Sequence, residues 1–200
     1  MRLRQSLLLA LALFLAACAM SSPPPPPPPD PVFAALGIGS VAVGPVTWAT
    51  HQPGESCSAF IDDDVRSALV RELRRRGYDA FAVGNNVPRS FSAGTPPPLP
   101  GDPPSARPVP SPGVDGVLSV WIEEYFENTL CGWEGPKYLT MGAVGVLYAG
   151  SPPREVWRGR GRAAEQGGYG ARELIWLTTA RSAERTLGTL PAGPGWSGPS

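Results

Sequence analysis

The sequence predicts an α/β (α+β) domain. It has a mixed sheet of about five strands, in the order β-α-β-β-β-β-α, with its helices packed on one face. Three patterns carry that prediction. An amphipathic segment with acids at its start and arginines at its end lies between two short apolar, β-rich runs. Three long segments with a period of two then follow one another, separated by turn residues. A last segment returns to helical spacing. One helix early and one late suffice to cover one face of such a sheet.

The elements take their order from the amino terminus. Arg2 and Arg4 precede Leu7–Leu15, an unbroken apolar run. That run is shorter than the roughly 20 residues a spanning helix needs and has the length and flanks of an export signal. It ends in Leu15-Ala16-Ala17-Cys18, which resembles the lipobox of bacterial lipoproteins. The resemblance implies that residues 1–17 are a cleaved signal and that Cys18 carries a covalent lipid. Ala19 follows the cysteine where Asp marks inner-membrane retention in that group. The implied location is therefore the cell envelope, anchored to the outer membrane and facing the periplasm.

Residues 18–37 read as a tether. Pro23–Pro29 are seven consecutive prolines. Without N–H donors they join neither helix nor sheet ladder, and as polyproline II they span roughly 20 Å. Such a tract holds a domain off a membrane; a proline-motif ligand is the alternative reading.

The folded domain is expected over 38–190. Ser40–Thr47 is apolar and β-branched and reads as the first strand. Asp62-Asp63-Asp64 opens a helix and Arg74-Arg75-Arg76 closes it, matching the helix dipole, with Gly77 at the C′ position. Val65, Ala68, Leu69 and Leu73 form its buried stripe. Dipole complementarity explains the three acids without a metal. Tyr78–Val83 is the next strand, parallel to the first. Residues 85–113 hold ten prolines and read as an insertion.

Val114–Asn128 alternates. Val114, Leu118, Val120, Ile122 and Phe126 should face one side, and Asp115, Ser119, Trp121, Glu123, Tyr125 and Glu127 the other. Tyr138–Ala149 and Glu155–Ala163 continue the meander, with Arg158, Arg160 and Arg162 on one face of the last strand. Ala171–Leu190 is the closing helix, with Trp176, Ala180, Ala183, Leu187 and Leu190 toward the sheet. Residues 191–200 read as a disordered tail.

The chemistry follows from what is scarce. Lys and Arg balance Asp and Glu at 17 each, so no electrostatic footprint for nucleic acid exists. A single histidine, His51, and three cysteines exclude ordinary His/Cys metal sites. No phosphate loop and no nucleophile elbow is present. No cofactor is expected beyond the lipid on Cys18. With Cys18 acylated, Cys57 and Cys131 remain. In an oxidising compartment they read as a disulfide, which by loop entropy contributes at most roughly 4 kcal/mol. Two free thiols are the alternative. The charged, aromatic side of the sheet has two readings. One is a charge-balanced solvated surface. The other is a partner-binding face built from Trp121, Tyr125, Trp157, Arg158 and Arg160, residue types that dominate binding hot spots.

The segments SVAVGPV, DDVRSALVRELRRRGYDAFAV, VDGVLSVWIEEY and REVWRGRGRA together resemble a group of small Gram-negative lipoproteins. Their more distant members include the CsgG-like curli-export and LpoB-like synthase-activator lipoproteins. The resemblance covers about residues 38–190; the proline-rich insertion departs from it. It implies a non-enzymatic, membrane-tethered domain that binds another envelope protein, or an auxiliary subunit of an envelope transport or secretion system. A periplasmic enzyme is the remaining alternative, and no catalytic residue carries over.

Overall fold

The computed structural model describes residues 31–49, 60–83, 113–128, 137–168 and 170–198. A short helix, α1 (Pro31–Ala35), leads into β1 (Ser40–Trp48). Then come α2 (Ile61–Arg75), β2 (Asp79–Ala82), β3 (Gly116–Asn128), β4 (Lys137–Ala149), β5 (Arg154–Gly167) and α3 (Ala171–Thr186). Apart from α1, this is the predicted order. The insertion over 85–112 and the turns holding Cys57 and Cys131 lie outside the described residues, as does Cys18 with its signal and tether.

The five strands form one mixed sheet in the order β2-β1-β3-β4-β5. β1 runs parallel to both β2 and β3, and β3, β4 and β5 form an antiparallel meander. Both helices lie on the same face. Val41, Val43, Ala80, Leu118, Ile122, Leu139, Met141, Leu147 and Ala163 turn toward them and are buried.

α2 matches its sequence pattern. Val65, Ala68, Leu69 and Leu73 are buried, Arg76 is its C-cap, and Gly77 takes a φ of +87°, a region that favours glycine. None of its three aspartates caps it through a side chain. Asp62 accepts the Trp48 indole N–H at 2.8 Å, Asp63 pairs with Arg66, and Asp64 pairs with Arg172 of α3.

α3 departs from expectation in length and face. It ends at Thr186, and Leu187 and Leu190 are buried just beyond it. Its packed side is Leu174, Ile175, Thr178, Thr179, Ser182, Ala183 and Thr186. Trp176 points out and is 51% exposed. The cause lies on β5. A Cβ built at Gly161 would stand 2.2 Å from the Thr186 nitrogen, and one at Gly159 would stand 2.2 Å from the Thr186 oxygen. A helix seated on glycines needs small side chains at the contact. Thr178 and Thr179 satisfy their hydroxyls on the carbonyls of Leu174 and Trp176.

Residues 191–198 correct the expectation of a disordered tail. Gly193 N–H donates to the Arg76 carbonyl at 2.7 Å, and Gly195 N–H donates to that of Gly77 at 2.9 Å. From below, Arg76 donates to the Leu190 carbonyl and the Tyr78 hydroxyl to that of Pro191, each at 2.9 Å. Arg76 is itself buried against Glu72. Burial pushes the Tyr78 phenol well above its ordinary range.

Candidate functional site

The predicted partner-binding residues do not share a face. Residues paired across strands lie on the same side of a sheet, so the register places each of them. Trp121 pairs with Val144, on the side away from the helices, and is fully buried there with Val146 and Tyr148. Tyr125 pairs with Met141, a core residue on the helix side. Trp157 pairs with Leu147, also on the helix side, and its indole donates to Thr189. Only Arg158 and Arg160 share a side with Trp121.

A β-bulge separates Trp121 from Tyr125. Ile122 opposes Ala143 and Glu124 opposes Gly142, so Glu123 is the extra residue. One inserted residue reverses inside and outside beyond it. Tyr125 therefore turns inward against Trp48, ring centroids 5.4 Å apart at 77°. Phe126 turns outward, 55% exposed, edge-on to Tyr138 at 5.9 Å. Glu127 accepts the Tyr125 hydroxyl. The chain of Asp62, Trp48, Tyr125 and Glu127 was not visible in the sequence. Trp48 closing an apolar strand shortly before an acidic helix start was its one trace.

The bulge also builds the charged surface. Glu123 and Glu124 both reach over β4 toward β5. Arg160 Nε lies 2.9 Å from Glu123. Arg162 forms two bonds to Glu124, at 2.8 and 2.9 Å, the fork geometry of arginine and carboxylate. Gly142 lies between them, and a Cβ there would stand 3.1 Å from that of Glu124. Arg158 pairs in the same two-bond manner with Glu155. The Arg162 guanidinium holds the Glu124 carboxyl below its ordinary range. The charge-balanced reading therefore describes Arg160 and Arg162, with Glu124 in the place expected of Glu127. Both arginines remain largely in solvent, 71% and 57% exposed.

At the opposite end of the sheet Asp115 binds β3 to β1. Its carboxylate accepts the Ser40 and Gly39 N–H groups at 2.8 and 2.9 Å and the Ser40 hydroxyl at 2.8 Å. Those donors, Ser40 N–H foremost, hold it below the usual carboxylate range. Among the described residues, no three of His, Cys, Asp and Glu gather as metal ligands. No described helix is long and apolar enough to cross a membrane.

No family model matches the chain, and no curated protein matches it in sequence. Several solved structures are similar. A PelC dodecamer from Paraburkholderia phytofirmans matches at 19% identity and a TM-score of 0.46, over 76% of this chain and 88% of that one. Lipoprotein GNA1162 from Neisseria meningitidis matches at 15% and 0.44, over 70% and 91%. The protein CT253 from Chlamydia trachomatis matches at 11% and 0.46, over 75% and 94%.

Proposed function

We propose that this chain is a lipid-anchored protein of the bacterial envelope whose α/β domain binds another envelope protein and performs no catalytic step. The observation that carries the reading is Leu15-Ala16-Ala17-Cys18 at the end of an apolar run, followed by Pro23–Pro29. Ala19 favours the outer membrane, with the domain in the periplasm. Several acyl chains on one cysteine make a stable anchor where a single chain is marginal. The mechanical route from lipid to fold also supports it. The chain enters the described domain at α1, and Phe33 on that helix is buried in the helix-side core. The tether is thus rooted in packed structure. The exposed Arg160 and Arg162 offer carboxylate-recognising groups to a partner.

Two measurements test this. Metabolic labelling with a fatty acid should mark the wild-type protein and leave Cys18→Ala unlabelled; equal labelling of both overturns the anchor. Photo-crosslinking in cells from positions 160 and 162 should capture one defined envelope protein. A component of transport or secretion machinery would identify the domain as an auxiliary subunit. Crosslinks to lipid alone overturn the binding role.

A further inference from the structure

β5 is the longest strand, and among the described residues it has a neighbour on one side only. The other edge strand, β2, has four residues. An unpaired edge is a template for one more strand.

The outward backbone groups of β5 can be identified. The Arg162 carbonyl accepts Nη1 of Arg185, which reaches it from α3. In an antiparallel pair the residues facing away from the neighbour alternate. Arg160 and Ala164 therefore face outward together with Arg162. On the helix side Gly159 and Gly161 carry no side chains of their own; α3 at Thr186 and the Trp157 ring lie over them, so an incoming strand meets the flank of α3 on that side.

Charge decides which strand fits. A second copy pairing antiparallel about Arg160 would set that arginine against its own counterpart, and Arg162 against Arg158. Like charges directly opposite one another are unfavourable. A strand with Glu or Asp at alternate positions sets carboxylates beside Arg160 and Arg162, which are exposed even while paired with Glu123 and Glu124. In that register the arginines discourage self-pairing, and the exposed edges of the Arg160 and Arg162 guanidinium groups favour an acidic partner.

We propose that the β5 edge over residues 158–164 is the docking surface for an extended acidic segment of a partner protein, which adds as a sixth strand. This rests on the partner-binding reading above and names its surface and partner class; it is independent of the anchor. Arg185 guards the edge by occupying the Arg162 carbonyl until that segment arrives.

The test uses the full mature chain with Cys18→Ser and two short synthetic peptides, one alternating Glu with Val and the other Lys with Val. Affinity is read by fluorescence anisotropy and location by amide hydrogen exchange. The acidic peptide should bind about tenfold more tightly than the basic one and protect the Arg160 and Ala164 amides. Arg160→Glu with Arg162→Glu should invert the preference. Arg160→Gln with Arg162→Gln should erase it while the melting curve stays in place. Arg185→Ala should tighten acidic binding. Equal affinity for both peptides, or protection elsewhere than β5, overturns the proposal. A defined partner crosslinked in cells together with no acidic-peptide binding overturns the β5 edge alone. Acidic-peptide binding at β5 with no envelope protein captured supports the edge and overturns the envelope partner.

Discussion

The two faces of the sheet are equally dry at their centres, yet they are built on different principles. On the helix side a continuous apolar core runs from Phe33 through Leu118 and Leu147 to Leu174, and α3 sinks onto glycines. On the other side the apolar patch is small: Trp121, Val144, Val146 and Tyr148. A charged layer then begins abruptly at Glu123, Glu124, Arg160 and Arg162. The helix face derives its stability from area and close approach. The second face divides its strands between a buried centre and a solvated rim, and the bulge at Glu123 is the dividing line. A binding surface is cheap to vary on that rim, because exposed ion pairs contribute little to folding.

The sharpest test of this contrast compares two buried residues one on each side. Leu118→Ala, on the helix face, should cost about 2–5 kcal/mol, and Trp121→Ala, on the other, about 3–5 kcal/mol. Urea unfolding gives both values. A cost for Trp121→Ala below about 1 kcal/mol would show that the second face has no core of its own.

Glycines divide the faces next. Gly161→Ala drives a methyl group into the backbone at Thr186 and should cost about 1–3 kcal/mol by overpacking. Gly142→Ala meets the Glu124 side chain at 3.1 Å, where a shift of a few tenths of an ångström suffices. Its cost should be clearly smaller. Thermal melts of the two variants rank them, and equal losses would mean that the charged face is packed as tightly as the helical one.

Much of this contrast was legible in the sequence, and the exceptions have definite causes. Element order, the parallel pairing of β1 with β2, and the single helical face followed from period and polarity. The stripe of α2 was readable because Val65, Leu69 and Leu73 are large and apolar. That of α3 was readable only in part: Ala183, Leu187 and Leu190 are buried as expected, but between Ile175 and Ala183 the packed side is threonine and serine, while the exposed Trp176 draws the eye to the wrong face. The bulge was invisible for a related reason. Glu123-Glu124 interrupts the alternation with two residues of one kind, so nothing marks which of them is extra. Every side assignment beyond it reversed, taking Tyr125 and Phe126 with it. Gly193 and Gly195 resemble linker composition, but only glycine allows the chain to lie this close to Gly77.

Trp176 offers a smaller effect and a direct counterpart to Trp121. Arg71 lies 6.0 Å above its ring. Trp176→Ala should lose about 0.5–1 kcal/mol, the value of an exposed cation–π contact. A chemical denaturation curve resolves this, and a loss near that of Trp121→Ala would move α3's packed face back toward Trp176.

The smallest effect separates two carboxylates held low by different donors. Glu124 is held by a guanidinium in solvent, and Asp115 by backbone N–H groups at the sheet's end. Both have folded-state values below those of the unfolded chain, about 3.9 for Asp and 4.3 for Glu. The unfolded state therefore binds more protons in acid. The stabilisation from each is fully present above about pH 4.3 and is lost as the pH falls through the folded-state value. Removing either group should flatten the acid limb of a stability–pH curve: the variant lies below the wild type by the full contribution near neutrality and converges on it in acid. Salt distinguishes them. At about 1 M salt the screening length falls to about 3 Å, so the Glu124→Gln variant should then match the wild type across the acid limb. Asp115→Asn should still differ, because its donors are fixed dipoles at hydrogen-bonding distance that salt does not displace. If salt erased both differences, Asp115 would belong with the solvated rim, and its bonds to Gly39 and Ser40 would not join β3 to β1.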